Sequence, residues 1–62
     1  MEKYFIMTEF DSPEMILFNK EEAFSEKYFG FSYIDSFDEN GIYVSTYYMN
    51  TELNKWVKSK NA

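Results

Sequence analysis

Cysteine, histidine and arginine are all missing from this chain of 62 residues. Without cysteine, disulfides and thiolate zinc sites are excluded. Without histidine, the commonest metal ligand and the usual general base near neutral pH are gone as well. Glycine occurs twice, at Gly30 and Gly41, and proline once, at Pro13, so no glycine-rich loop exists to cradle a phosphate. No apolar run approaches the roughly 18 residues that span a bilayer. The opening stretch Tyr4-Phe5-Ile6-Met7 is broken at Thr8-Glu9 and has no small-residue cleavage site, so it does not read as a secretory signal. These absences lead to the expectation of a cytoplasmic protein with no cofactor and no metal.

Aromatic residues are abundant, with seven Phe, six Tyr and one Trp. A chain of this length buries only about 60% of its unfolded surface. Each buried ring removes roughly 150–250 Å² from water, so an aromatic core offers one route to stability and self-association another. So many rings exceed what a small interior holds, and some are expected on the surface. Residues with AT-rich codons (Lys, Asn, Tyr, Phe, Ile) dominate, which fits a bacterial or phage genome.

Charge is divided along the chain. Residues 1–54 hold all eleven acidic residues against Lys3, Lys20 and Lys27, whereas residues 55–62 hold Lys55, Lys58 and Lys60. An acidic body repels nucleic acid and steers basic partners toward itself.

Turn and cap signals divide the chain, read as a single domain over 1–62, into six elements. Strand formers fill Lys3 to Phe10, Asp11-Ser12-Pro13 marks a turn, and Glu14 to Phe18 follows as a short apolar strand. Asn19 precedes Glu22 in a capping-box arrangement, which predicts a helix of about three turns from Lys20 to Phe29, stopped by a left-handed Gly30. Strands are expected at Phe31 to Asp38 and Ile42 to Met49. Asn50-Thr51-Glu52 resembles a second cap, and Leu53, Trp56 and Val57 at helical spacing predict a terminal helix. The expected fold is α+β: a small two-layer sandwich, β-β-α-β-β-α, with a four-stranded, mainly antiparallel sheet and two short helices.

Ser36-Phe37-Asp38-Glu39-Asn40-Gly41 superficially resembles the opening of a calcium loop. With Gly41 at loop position six, however, position twelve falls on Tyr47, where a bidentate Glu is required. Asn40-Gly41 reads better as a two-residue type I′ hairpin turn. That turn pairs Tyr33 with Tyr48, Ile34 with Tyr47, Asp35 with Thr46, Ser36 with Ser45 and Phe37 with Val44. Phe37, Ile42, Val44 and Tyr48 then form the better core face. Ile34, Asp38, Tyr43 and Tyr47 form the opposite, mixed face.

Catalysis finds little support. Asp35 and Asp38 point to opposite faces of a strand, Glu21 and Glu22 diverge on a helix, and no base is present to activate a hydroxyl. Base stacking on the tyrosines is opposed by the neighbouring acids, so direct nucleic-acid binding is disfavoured. The terminal lysines suit the end of a helix and do not call for a membrane.

The expectation is therefore a non-enzymatic protein-binding module. A phage or mobile-element inhibitor that occludes a host protein is one specific form. Partner contacts are assigned to the tyrosine face, Ile34, Asp38, Tyr43 and Tyr47, and to the acids Glu21, Glu22, Glu26, Asp35 and Glu39, which could imitate a phosphate row against a basic or nucleic-acid-binding protein. Two alternatives are a small structural or homodimeric subunit and an aromatic-lined protein that sequesters a small molecule.

Overall fold

The computed structural model describes residues 1–10 and 12–61, with the side chains of Lys60 and Asn61 excepted. Asp11, expected in the first turn, lies outside the described residues. The elements are β1 (Tyr4–Glu9), β2 (Ser12–Leu17), α1 (Lys20–Ala23), a 3-10 turn (Glu26–Tyr28), β3 (Tyr33–Phe37), β4 (Tyr43–Asn50) and β5 (Lys55–Asn61). They build one antiparallel sheet in the order β2-β1-β3-β4-β5.

This corrects the expected β-β-α-β-β-α sandwich of four strands and two helices. The terminal segment is a fifth strand, with Met49 opposite Trp56 and Tyr48 opposite Val57. The cap signal at Asn50 is used, since its Oδ1 accepts from the Leu53 amide at 2.9 Å, but it closes a single turn. Asn54 then adopts φ 58, a left-handed conformation that asparagine tolerates and that ends the turn. The next residues pair with β4, satisfying their backbone groups in the sheet.

The expected helix from Lys20 to Phe29 is also shorter. Asn19 caps it as anticipated, accepting from the Glu22 amide at 2.9 Å. Ser25 interrupts it: its hydroxyl donates to the Glu22 carbonyl at 2.7 Å while its backbone is extended, at φ −75 and ψ 164. Serine competes with the helical backbone through such local bonds. The break lets Phe24, Tyr28, Phe29 and Phe31 all pack on the sheet. Gly30 does not take the left-handed conformation expected of it; among the described glycines only Gly41 has positive φ.

The β3–β4 hairpin keeps the anticipated register from Ser36 and Ser45 outward, but by another route. Asn40 lacks the positive φ of a type I′ turn. The Gly41 amide instead donates to the Asp38 carbonyl at 3.0 Å, and the Asp38 amide to the Ile42 carbonyl at 2.9 Å, closing a loop one residue longer. Gly41, at φ 79, supplies the left-handed residue of such a three-residue loop. Phe37 consequently pairs with Tyr43, not Val44, and a bulge between Ser36 and Phe37 restores the original pairing beyond it. Two one-residue offsets cancel.

The core lies on the face carrying Phe5, Met7, Ile34, Tyr47 and Trp56, sealed by Ala23 and Tyr28 from the helical segment. This inverts the expected assignment of faces. Phe24 explains the choice: its ring meets Tyr47 at 4.7 Å, Phe5 at 6.1 Å and Trp56 at 6.4 Å. One aromatic ring of the cover thus touches β1, β4 and β5. Buried Ser36 and Ser45 are small enough to let the cover approach, and the Ser45 amide donates to Ser36 Oγ at 3.1 Å.

Candidate functional site

α1 and the 3-10 turn lie on one side of the sheet, and among the described residues no helix covers the other. Strand alternation places Tyr4, Ile6 and Thr8 of β1 on the uncovered face, because Phe5 and Met7 point into the core. β3 adds Tyr33, Asp35 and Phe37, β4 adds Thr46 and Tyr48, and β2 adds Ile16, opposite Ile6. The bulge at Phe37 brings Tyr43 to this side as well.

Rings cross the strands in a row. Phe18 lies 6.2 Å from Tyr4, Tyr4 stacks on Phe37 at 5.1 Å with planes 14° apart, and Phe37 meets Tyr43 edge-on at 6.0 Å. Phe18 is 74% exposed and Ile16 52% exposed, so the row ends in open apolar surface. In its midst Thr46 Oγ1 donates to Asp35 Oδ1 at 2.6 Å. A hydroxyl carries one proton, so the 2.5 Å contact between Tyr43 and Thr46 runs from the tyrosine to the threonine. Tyr43, Thr46 and Asp35 form a polar chain through the aromatic row.

The covered face holds a second polar centre. Glu2 accepts from Lys20 Nζ at 2.7 Å, from Ser36 Oγ at 2.7 Å and from the Tyr47 hydroxyl at 2.5 Å. Burial works against the charged carboxylate, but the donors from Lys20, Tyr47 and Ser36 outweigh it and hold the Glu2 pKa down to about 2. Lys20 is raised by the same bond, with burial opposing. Tyr47 is raised by burial and then by Glu2. Lys58 Nζ stands 6.0 Å from the Tyr47 ring, in cation-π range. This centre fastens the start of the chain to β3, β4 and α1. At the end of the sheet Phe29, Phe31, Tyr33, Tyr48 and Met49 line a concavity of about 620 Å³, which shares Tyr33 and Tyr48 with the uncovered face.

The residues anticipated as partner contacts are dispersed. Ile34 is 0% exposed and Tyr47 6%, so both belong to the core and not to an open face. The Asp38 carboxylate accepts from the Asn40 and Ile42 amides at 2.8 and 3.0 Å and closes the hairpin, beside exposed Glu39. Its pKa is lowered, first by the Ile42 amide. Glu21, Glu22 and Glu26 are exposed on the helical layer, with the sheet between them and Asp35. Of the anticipated set, Asp35 and Tyr43 alone stand on the uncovered face. Tyr4, Ile6, Ile16, Phe18 and Phe37 were not anticipated there. In β1 both faces are apolar, with Tyr4 and Ile6 on one and Phe5 and Met7 on the other, so alternation carries no signal of direction; the preference of the helical segment for one side supplies it.

No family model matches this chain, and searches of curated proteins and of solved structures found no significant match. Fold and surface define its class: a small antiparallel sheet protein, covered on one face and aromatic on the other. No helix among the described residues is long and apolar enough to cross a membrane.

Proposed function

We propose that this chain is a non-enzymatic, cytoplasmic protein-binding module that docks through the uncovered face of its sheet and acts by occluding a surface of another protein. The observation that carries this reading is the row Phe18, Tyr4, Phe37 and Tyr43, which runs from the residue after β2 across β1, β3 and β4, with no covering helix among the described residues. Tyrosine and phenylalanine offer large rigid contact area at low entropic cost, and such residues are enriched in interface cores. Separation of the helical acids from Asp35 by the sheet favours this aromatic face over a single acidic row that imitates phosphates. A net charge of −5 favours a basic partner.

The test compares capture from a bacterial lysate by the wild type, an I16K/F18K variant and an E21Q/E22Q/E26Q variant, with far-UV circular dichroism to establish that each is folded. Loss of a specific partner in I16K/F18K and its retention in the triple variant is the expected pattern. The reverse pattern would transfer the interface to the helical layer.

A further inference from the structure

The uncovered face has a charge at its centre. β3 is the middle strand of the sheet and Asp35 the middle residue of β3. Tyr33 and Phe37 flank it along the strand, Ile6 lies opposite on β1 and Thr46 on β4. The outer strands carry exposed Glu14 and Lys55. The ion pair of the described residues, Lys20 with Glu2, is on the other side of the sheet. Asp35 therefore has a hydrogen-bonded neighbour in Thr46 but no described cation.

This position restricts what can dock. Five strands spaced about 4.8 Å apart, each about six residues long at about 3.3 Å per residue, present a face of roughly 24 by 20 Å. A standard interface removes about 800 Å² from each partner. A partner of that size covers the whole face, and Asp35 cannot remain at a wet rim. A carboxylate buried without a matched charge is costly. In a face-to-face dimer of two copies, the two-fold axis passes near the sheet centre and brings the two Asp35 carboxylates together. Like charges in a closing interface repel.

We propose that the uncovered face receives a basic protein surface that places one arginine or lysine side chain against Asp35, with its cationic group over the aromatic row at Phe37 and Tyr43. This inference rests on the docking face proposed above and specifies its occupant. A cation answers both features at once: it pairs with the carboxylate fixed by Thr46 and is attracted to ring faces. The chain contains no arginine, and its net charge of −5 steers such a partner inward.

The probes are N-acetyl-arginine amide, N-acetyl-lysine amide and the neutral isostere N-acetyl-citrulline amide, titrated into ¹⁵N-labelled protein and followed by amide shifts. Arginine or lysine amide is expected to shift Asp35, Phe37 and Thr46 saturably, about tenfold more tightly than citrulline amide, given the strength of charge-assisted contacts. D35N is expected to abolish that preference, and E21Q to preserve it. Equal affinity for arginine and citrulline, shifts confined to the helical layer, or an unaltered preference in D35N would each overturn the inference. Shifts of the face that lack charge preference would leave the docking reading intact while refuting its cationic occupant. Light scattering supplies a second readout: the wild type is expected as a monomer, and D35N, with the central charge removed, as the more self-associating of the two. A wild-type dimer broken by I16K/F18K would overturn the inference and identify a second copy as the occupant.

Discussion

The hydroxyl of Tyr47 donates to the carboxylate of Glu2 at 2.5 Å across 45 residues of chain. Ser36 and Lys20 converge on the same carboxylate, so one acidic side chain joins the start of the chain to two strands and the helical cover. E2A leaves the buried Tyr47 hydroxyl without its acceptor, while Ser36 Oγ keeps the Ser45 carbonyl at 3.2 Å. Removing one partner of a buried hydrogen bond costs about 1–3 kcal/mol. In a domain this small, each kcal/mol lowers Tm by about 4–8 °C. An unchanged urea midpoint for E2A would refute the role assigned to this residue.

The same centre sets the response to acid. The folded Glu2 carboxyl has a pKa of about 2, against an ordinary value of 4.5, so the unfolded chain takes up its proton first as pH falls. The stabilisation is complete above pH 4.5 and is lost between there and about 2. At high pH, raised pKa values for Tyr47 and Lys20 mean that the folded state keeps their protons longer. Their contribution is full below the ordinary values of 10.0 and 10.5 and falls away above them. Urea midpoints measured against pH are expected to decline at both ends, and E2Q to lose most of the acid limb. An acid limb identical in E2Q would assign it to other carboxylates.

Phe10 is 78% exposed and adopts φ 55 between the first two strands. A left-handed backbone costs an L-residue about 1–2 kcal/mol, and asparagine tolerates it better. F10N therefore exchanges little packing for a better-suited backbone. It is expected to raise Tm by a few degrees; a lower Tm would show that the exposed ring contributes contacts worth more than the strain.

Gly41 presents the opposite case. An added Cβ would meet the Tyr4 hydroxyl at 3.5 Å, an ordinary contact, but φ 79 disfavours any side chain. G41A is expected to cost about 1 kcal/mol, read as a lower urea midpoint. A neutral substitution would show that the hairpin loop relaxes to another turn without penalty.

Trp56 tests the fifth strand. Its indole packs 6.4 Å from both Phe24 and Phe29, and Nε1 is buried with no hydrogen-bond partner among the described residues. W56A is expected to cost about 3–5 kcal/mol. W56F, which removes the unpaired donor along with some volume, is expected to cost clearly less. NOE contacts between Met49 and Trp56 follow from their cross-strand pairing. A run of i to i+3 contacts from Leu53 to Val57 would restore the helix in place of β5.

Local chemistry is legible in the chain without the fold. The Asn19 cap and the acidic, aromatic character follow from neighbouring residues, whereas the pairing of Ser36 with Ser45 agrees with the sequence reading because a longer loop and the bulge at Phe37 cancel. The spacing of Leu53, Trp56 and Val57 misleads because a short apolar run fits a helix and a strand equally well. An available ladder partner, β4, settles that ambiguity, and periodicity cannot see it.

Which face of the sheet becomes core is also a long-range decision. Both faces of β1 are apolar, and Ile34 and Tyr47 look no more inward than Phe37 and Tyr48. The broken helix places Phe24 against Phe5, Tyr47 and Trp56, and Glu2 ties Tyr47 to the same side. With that side sealed, alternation sends Tyr4, Phe37 and Asp35 to the other. Residue type alone carries the Asn19 cap and the chemical character of the surface, while the hairpin closes through a loop one residue longer than Asn40-Gly41 implies. Which aromatic residues stay uncovered is settled by the packed fold, because burial depends on where the helical cover lands.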